Sequence, residues 1–552
     1  MHERLIELWL DSASERGYQP GFVQMLVSEG HRVLHSTRHG PLEFGKDVIS
    51  VAPDGIPCAY QLKGNPGGRL NRTQFREILE QLQELVTTAI PYPGLPAVQH
   101  RSYLVTNGMV EEDVILLIAQ MNETWRRNGY GDEALKVVTR GELIAMACGT
   151  GTSLWPFSVS GLEGVVAMLG HRGDDILPMP KVHALLADIY GLEGDATIPP
   201  VELTRLVSSA AMLLSISMRN FASRQNHFAV LSGWTLYITY TVAAIEKHGV
   251  GSATRAENAL AAARKSVLAS LVDLLSEVCS RDDLVEGDLW TDSEFIGPRT
   301  ALVTSLAALY CLWLREDDVR SALLTDVEQW MTGEITASGL WGEAGIPQLL
   351  TQFWGIVTLP HGSIRYDLLE AVLEHVVRAQ LGMEGATPLT PPYYGADEVI
   401  RHTNVAYLPG LGDPLEGDDP GKHSFSAMGL MHLLVRLDRK AFCKEIWPGF
   451  TRLIHRSFVP RHPWQFCLVR SEEGRDDEII LPPRGDWADM QAAAEDFATP
   501  EVPERLRSDP VMLLLFVIIC PHRATPAVVR YLGSHFGDPL DMADPRPALF
   551  SG

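Results

Sequence analysis

The sequence predicts an α/β domain, a small mixed sheet flanked by helices, followed by a large all-α array. Two observations predict this. Helix and strand periodicities alternate over residues 1–155, and beyond 156 strand signals nearly vanish while apolar helical stretches recur. At 552 residues, 46% of them hydrophobic and 21% charged, the chain is long enough for more than one globular core.

In chain order, Glu3–Ser14 and Gly21–Glu29 read as amphipathic helices, the second with Phe22, Met25 and Leu26 at helical spacing. His31–His35 is a short strand. Val48–Ala52 and Ile56–Tyr60 flank the turn signal Pro53-Asp54-Gly55 and predict a hairpin. Arg72–Val86 carries Phe75, Ile78, Leu79, Leu82 and Leu85 on one stripe, a helix. Arg101–Thr106 is a strand closed by Asn107-Gly108. Val110–Trp125 is a helix with Glu111, Glu112 and Asp113 in its first turn, where the helix dipole favours acids. Ala134–Thr139 is the last strand. Beyond it, Val201–Arg219, Phe228–Lys247, Ala253–Val278, Thr300–Arg315, Val319–Met331, Ile346–Thr358, Ile364–Leu381, Ser424–Leu437 and Val511–Ile518 read as helices, many without a charged face, as in a multilayered array. Met383–His423, rich in Gly and Pro, marks a subdomain boundary, and Ser471–Asp509 an acidic surface insertion. The expected domains are therefore 1–155, 156–390 and 391–552.

The net charge of −23 argues against a large nucleic-acid-wrapping face. Residues 1–150 hold 14 Lys/Arg against 18 Asp/Glu, so most of the excess lies in the helical part. Seven dispersed cysteines without a C-x-x-C pair suit reduced thiols in a cytoplasmic protein and no zinc site. Met1-His2-Glu3-Arg4 opens no signal-peptide pattern. Phe228–Ile245 is uncharged but contains seven Ser, Gly, Thr and Tyr residues, which points to a buried helix and no membrane partner.

The chemistry-bearing pattern is Gly45-Lys46-Asp47 followed by Gln61-Leu62-Lys63. On a strand, Gln61 and Lys63 share a face and Leu62 points the other way. A strict two-residue turn would pair Asp47 with Leu62, on the wrong face. A three-residue connection, or a bulge of the kind Pro57 favours, sets Asp47 opposite Gln61 or Lys63. Phosphodiester hydrolysis needs a hard divalent ion held by oxygens, an activated water and a cation to steady the developing charge. Asp47, the Gln61 amide and the Leu62 backbone carbonyl supply metal-binding oxygens, and Lys63 the positive group. Glu43 is a further ligand or an ordinary loop acid. Arg69, Arg72 and Arg76, after a glycine-rich turn, contact a phosphate backbone or form a solvated surface.

These residues resemble the PD-(D/E)XK nuclease superfamily, and their glutamine form resembles the Mrr-like restriction endonucleases and nuclease modules of bacterial anti-phage proteins. The resemblance covers about 1–150. It implies a restriction-endonuclease-like fold, Asp47, Gln61 and Lys63 as catalytic residues, Mg²⁺ or Mn²⁺ as cofactor, and DNA ahead of RNA as substrate. It also implies an acid or amide from the first helix, for which Gln19, Gln24 and Glu29 are candidates. Lys46 stands where the family has proline, and Gln61 replaces a charged ligand. The helical region would then sense, regulate or assemble, through a homo-oligomer or a partner protein.

The competing expectation is an interaction scaffold with an inactive nuclease-like fold. Elsewhere, His455, Arg456, Phe458, Arg461, His462 and Trp464 form a basic, aromatic stretch that reads as a surface turn. His361, His402, His423 and His432 lack metal-ligand spacing, and Gly410–Gly417 is not a phosphate loop.

Overall fold

The computed structural model describes residues 2–36, 46–90, 92, 95, 99–150, 158–194, 197–249, 254–280, 296–316, 322–334, 340–359, 365–383, 386, 389–395, 422–469, 477–482, 486–495 and 501–537. The chain forms two compact units, 1–274 and 275–552.

The first unit opens with α1 (His2–Leu10) and α2 (Glu15–Ser28). The second helix starts six residues earlier than the sequence suggests. Ser14 caps it by accepting from the Gly17 N–H, and Pro20 sits inside it, losing only the bond to the Arg16 carbonyl. A mixed five-stranded sheet follows, in the order β1-β2-β3-β5-β7. Its strands are β1 (Arg32–His35), β2 (Val48–Val51), β3 (Pro57–Lys63), β5 (Arg101–Thr106) and β7 (Leu135–Val138). The first three run antiparallel, and β3, β5 and β7 are parallel. A separate two-stranded parallel ladder joins β4 (Arg69–Leu70) to β6 (Met109–Val110).

The two faces of this sheet are distinct. Cys58, Tyr60 and Leu62 face α2, where the Phe22 and Tyr60 rings meet edge-on at 5.4 Å. Ala59 and Leu104 face a core built with Phe75, Leu82, Leu85 and Val114 from α3 (Arg72–Glu77), α4 (Leu79–Thr87) and α5 (Glu112–Arg127). Full burial of each large side chain there contributes roughly 1.5–3 kcal/mol. The helix expected over 72–86 is broken at Ile78, whose ψ of 1° leaves the helical region. Of its stripe, Phe75, Ile78, Leu82 and Leu85 are nonetheless buried and Leu79 partly so. An Asn71–Gln74 capping box starts it.

The first unit continues with α6 (Arg140–Thr150), α7 (Val159–Gly170), α8 (Met179–Ile189), α9 (Pro200–Ser217), α10 (Arg219–Ser223), α11 (His227–Lys247) and α12 (Thr254–Ser280). Helices α6 and α9 pack on α2. Among the described residues, one helix, α11, is long and apolar enough to cross a membrane by composition, and 89% of its apolar window is buried in the fold.

The second unit holds α13 (Ile296–Glu316), α14 (Ala322–Glu334), α15 (Ile346–Ile356), α16 (Tyr366–Gln380), α17 (Ala427–Arg436), α18 (Lys440–Phe450), α19 (Trp487–Glu495), α20 (Glu504–Arg507), α21 (Pro510–Ile519) and α22 (Pro526–Phe536). It is not purely helical, contrary to expectation. β8 (His423–Ser424), β9 (Ile454–Phe458) and β10 (Asp477–Ile480) form a three-stranded sheet. The strands escaped notice because the inward positions of β9 include His455 and Ser457, so no apolar alternation marks it.

Candidate functional site

The hairpin decides where Asp47 points. Val51 pairs with Pro57 and Val48 with Tyr60, and the Ala52 N–H reaches the Ile56 carbonyl at 3.0 Å. The connection is therefore the three residues Pro53-Asp54-Gly55. Gly55 takes φ +83°, the left-handed position that closes such loops and that non-glycine residues rarely adopt. The Asp54 carboxylate accepts from the Ile56 N–H at 3.1 Å and pairs with Arg101 at 2.6 Å; those bonds hold it below the usual carboxylate range. Pro57 opens β3 before β5 pairing begins at Cys58, so its missing N–H costs no rung there.

Asp47 precedes the Val48–Tyr60 rung, the last of the β2–β3 register. The Asp47 N–H donates to the Tyr60 carbonyl at 2.9 Å. Its Oδ2 accepts from Gln61 Nε2 and from the Leu62 N–H, both at 2.6 Å. A side chain thus continues the β2–β3 ladder after the backbone stops. Since N–H and C=O of one strand residue point to the same edge, the Leu62 carbonyl is also turned towards β2. Leu62 itself is fully buried. Gln61 is 4% exposed, and its Oε1 has no hydrogen-bond partner.

Lys63 shares the face of Gln61, is half-buried, and makes no ion pair with Asp47. Its carbonyl accepts from the Tyr18 hydroxyl at 3.2 Å. Arg69, Arg72 and Arg76 are all exposed, on β4 and α3. Glu43 lies outside the described residues. The first-helix candidates are not brought to Asp47. Gln19 donates to the Ser36 carbonyl at 2.9 Å and Gln24 to the Ala259 carbonyl at 3.2 Å, from a helix on the opposite face of the sheet, and Glu29 caps that helix's far end.

Two residues that the sequence did not single out for the site stand beside it. Lys46 is fully buried, its Nζ 3.4 Å from the Glu84 carbonyl at the end of α4. Burial pushes its ammonium down to about 8, against the upward pull of the Glu84 carboxylate. A lysine beside an acid in a loop reads as surface, so its burial had no signal. Glu15 opens α2 against the residue after Lys63: a Cβ on Gly64 would come 2.8 Å from the Glu15 nitrogen. Ser14 as a cap, read before Pro20, was the available clue.

Among the described residues, no group of three or more His, Cys, Asp or Glu side chains has the arrangement of a metal site. The basic stretch at 455–464 is not a surface turn throughout. His455 is 1% exposed and bonds the Phe450 carbonyl, and Arg456 donates to His423 Nδ1 at 2.8 Å. His361 and His402 lie outside the described residues. No protein-family model, curated protein or solved structure matches the chain.

Proposed function

We propose that the sheet of residues 1–150 carries a metal-dependent phosphodiesterase site and that the protein cleaves nucleic acid, with DNA as the expected substrate. The observation that carries this is the meeting of Asp47 and Gln61 across the ladder, with a buried amide oxygen left over. A half-turn about the last torsion of Gln61 exchanges its amide nitrogen for that oxygen. Asp47, Gln61 and the Leu62 carbonyl would then present three oxygens, the donor set a hard cation such as Mg²⁺ or Mn²⁺ takes. Such an ion supplies charge stabilisation and a more acidic water when bound. The chain's own part is to hold these oxygens at a strand end and to place Lys63 on the same face, where its ammonium steadies negative charge on a phosphate. Exposed Arg69, Arg72 and Arg76 offer the backbone contacts. The helical remainder serves recruitment or assembly, since a chain of net charge −23 binds nucleic acid weakly by itself and gains from multiplied contacts. A role in anti-phage defence follows the resemblance alone.

One observation favours a second reading, an inactive scaffold. Asp47 Oδ2 already accepts two short hydrogen bonds and staples the hairpin without any ion. The test is incubation of the full chain with plasmid DNA and with RNA, in Mg²⁺ or Mn²⁺, beside Asp47→Ala and Lys63→Ala. Metal-dependent cutting lost in both variants supports the nuclease. No cutting by the native chain, or cutting that survives both substitutions, overturns it.

A further inference from the structure

The second unit contains a cavity of about 420 Å³, within the range of small-molecule sites. Most of its wall is apolar: Phe458, Val459, Phe466, Ile480, Leu481 and Val528. Leu481, on that apolar wall, is 69% exposed. The polar side of the wall is His432, Arg530 and the start of α22.

The protonation of His432 follows from its partner. Arg530 Nη1 lies 2.6 Å from His432 Nδ1, and a guanidinium can only donate. Nδ1 is therefore the acceptor and Nε2 carries the hydrogen. Burial, then the charge of Arg530, pushes the imidazole down to about 3, so the ring is neutral. His432 is 5% exposed and its Nε2 has no hydrogen-bond partner. A buried N–H donor left unmade costs about 1–3 kcal/mol. Beside it, Thr525 caps α22 through the Val528 N–H and leaves the Ala527 amide at the positive end of an 11-residue helix. Among the described residues, the one carboxylate in the lining is Glu501, which is exposed.

We propose that this cavity binds a small amphipathic carboxylate, its apolar tail along Phe458, Ile480 and Leu481 and its head at His432, Arg530 and the start of α22. The head would take up the spare imidazole donor and complement both the guanidinium and the helix end. The tail would cover the exposed leucine. This site is independent of the hairpin site and of the nuclease assignment.

The probes are octanoate and 1-octanol, titrated calorimetrically into the full chain. Octanoate should bind saturably at one site, and 1-octanol at least tenfold more weakly. His432→Leu and Arg530→Gln should each weaken octanoate at least tenfold. Leu481→Asp, a surface change that leaves the polar end intact, should do the same. Absence of saturable octanoate binding, equal affinity for the alcohol, or affinity unchanged in Leu481→Asp overturns the proposal. The comparison of the two probes on the native chain decides the matter even if a core variant does not fold.

Discussion

Replacing Lys46 with methionine removes a buried charge while keeping a long, unbranched side chain. In the native chain burial lowers the ammonium from its ordinary 10.5 to about 8, while the Glu84 carboxylate pulls it back upward and the Glu84 carbonyl lies 3.4 Å from Nζ. At 1.36 kcal/mol per pK unit, that drop corresponds to roughly 3 kcal/mol lost by the folded state while the group is charged in both states. The sign follows from proton counting. Below pH 8 both states are protonated and the full loss is felt. Between 8 and 10.5 the unfolded chain holds more protons, so stability rises with pH as the folded amine sheds its own. Lys46→Met should therefore be more stable than the native chain by up to about 3 kcal/mol at pH 7, and this lead should shrink by about 1 kcal/mol at pH 9. Urea unfolding at the two pH values, followed by tryptophan fluorescence, measures both quantities. A destabilised variant, or a lead that is the same at pH 7 and pH 9, would refute the argument. The first result would mean that the ammonium is well solvated by carbonyls, the second that it does not titrate below its ordinary range.

Asp47→Asn keeps an oxygen that can accept the Leu62 N–H but loses the charge. It should melt within a few degrees of the native chain while metal-dependent cleavage falls by at least a hundredfold; unfolding of the variant, or full activity, would contradict the roles assigned to the carboxylate. Gly64→Ala should destabilise the first unit by about 1–3 kcal/mol, because its methyl meets the Glu15 backbone rather than a yielding side chain. Unchanged denaturation would show that α2 shifts freely. In the second unit, Glu343 is 1% exposed and accepts from Gln380 Nε2, the Phe425 and Ser426 N–H groups and the Ser426 hydroxyl. Glu343→Ala strands those donors and should cost roughly 3 kcal/mol or more in urea denaturation, and a cost below 1 kcal/mol would refute that accounting.

Much of the first domain was legible because its elements carry their own periodicity. Arg101–Thr106 is found where the sequence puts it, and so is the hairpin, with Val48 opposite Tyr60 and Val51 opposite Pro57. Helix boundaries were less legible where tertiary packing overrode a local signal, as at Pro20 and Ile78. The sheet of the second unit was hidden because the buried side of β9 includes His455 and Ser457, whose inward placement depends on neighbours far along the chain. At the candidate site, spacing put Gln61 and Lys63 on one face of β3 and asked for Asp47 beside them, and the Gln61 amide does meet the Asp47 carboxylate. It could not show that the Asp47 carboxylate takes a rung of the ladder or that Lys46 is buried. Both depend on how the segment before β2 meets α4, a contact between residues 38 apart.

The Pro53-Asp54-Gly55 connection acts as a parity setting for the chemistry. Side chains alternate along β2, so inserting or deleting one residue in this turn slides the pairing by one and leaves Asp47 opposite a side chain of the other face, although no site residue changes. Changes of two residues restore the match of faces. Length variation in this loop should therefore be tolerated in even steps, and a solvent-exposed turn with no catalytic group governs whether the acid and the amide ever meet.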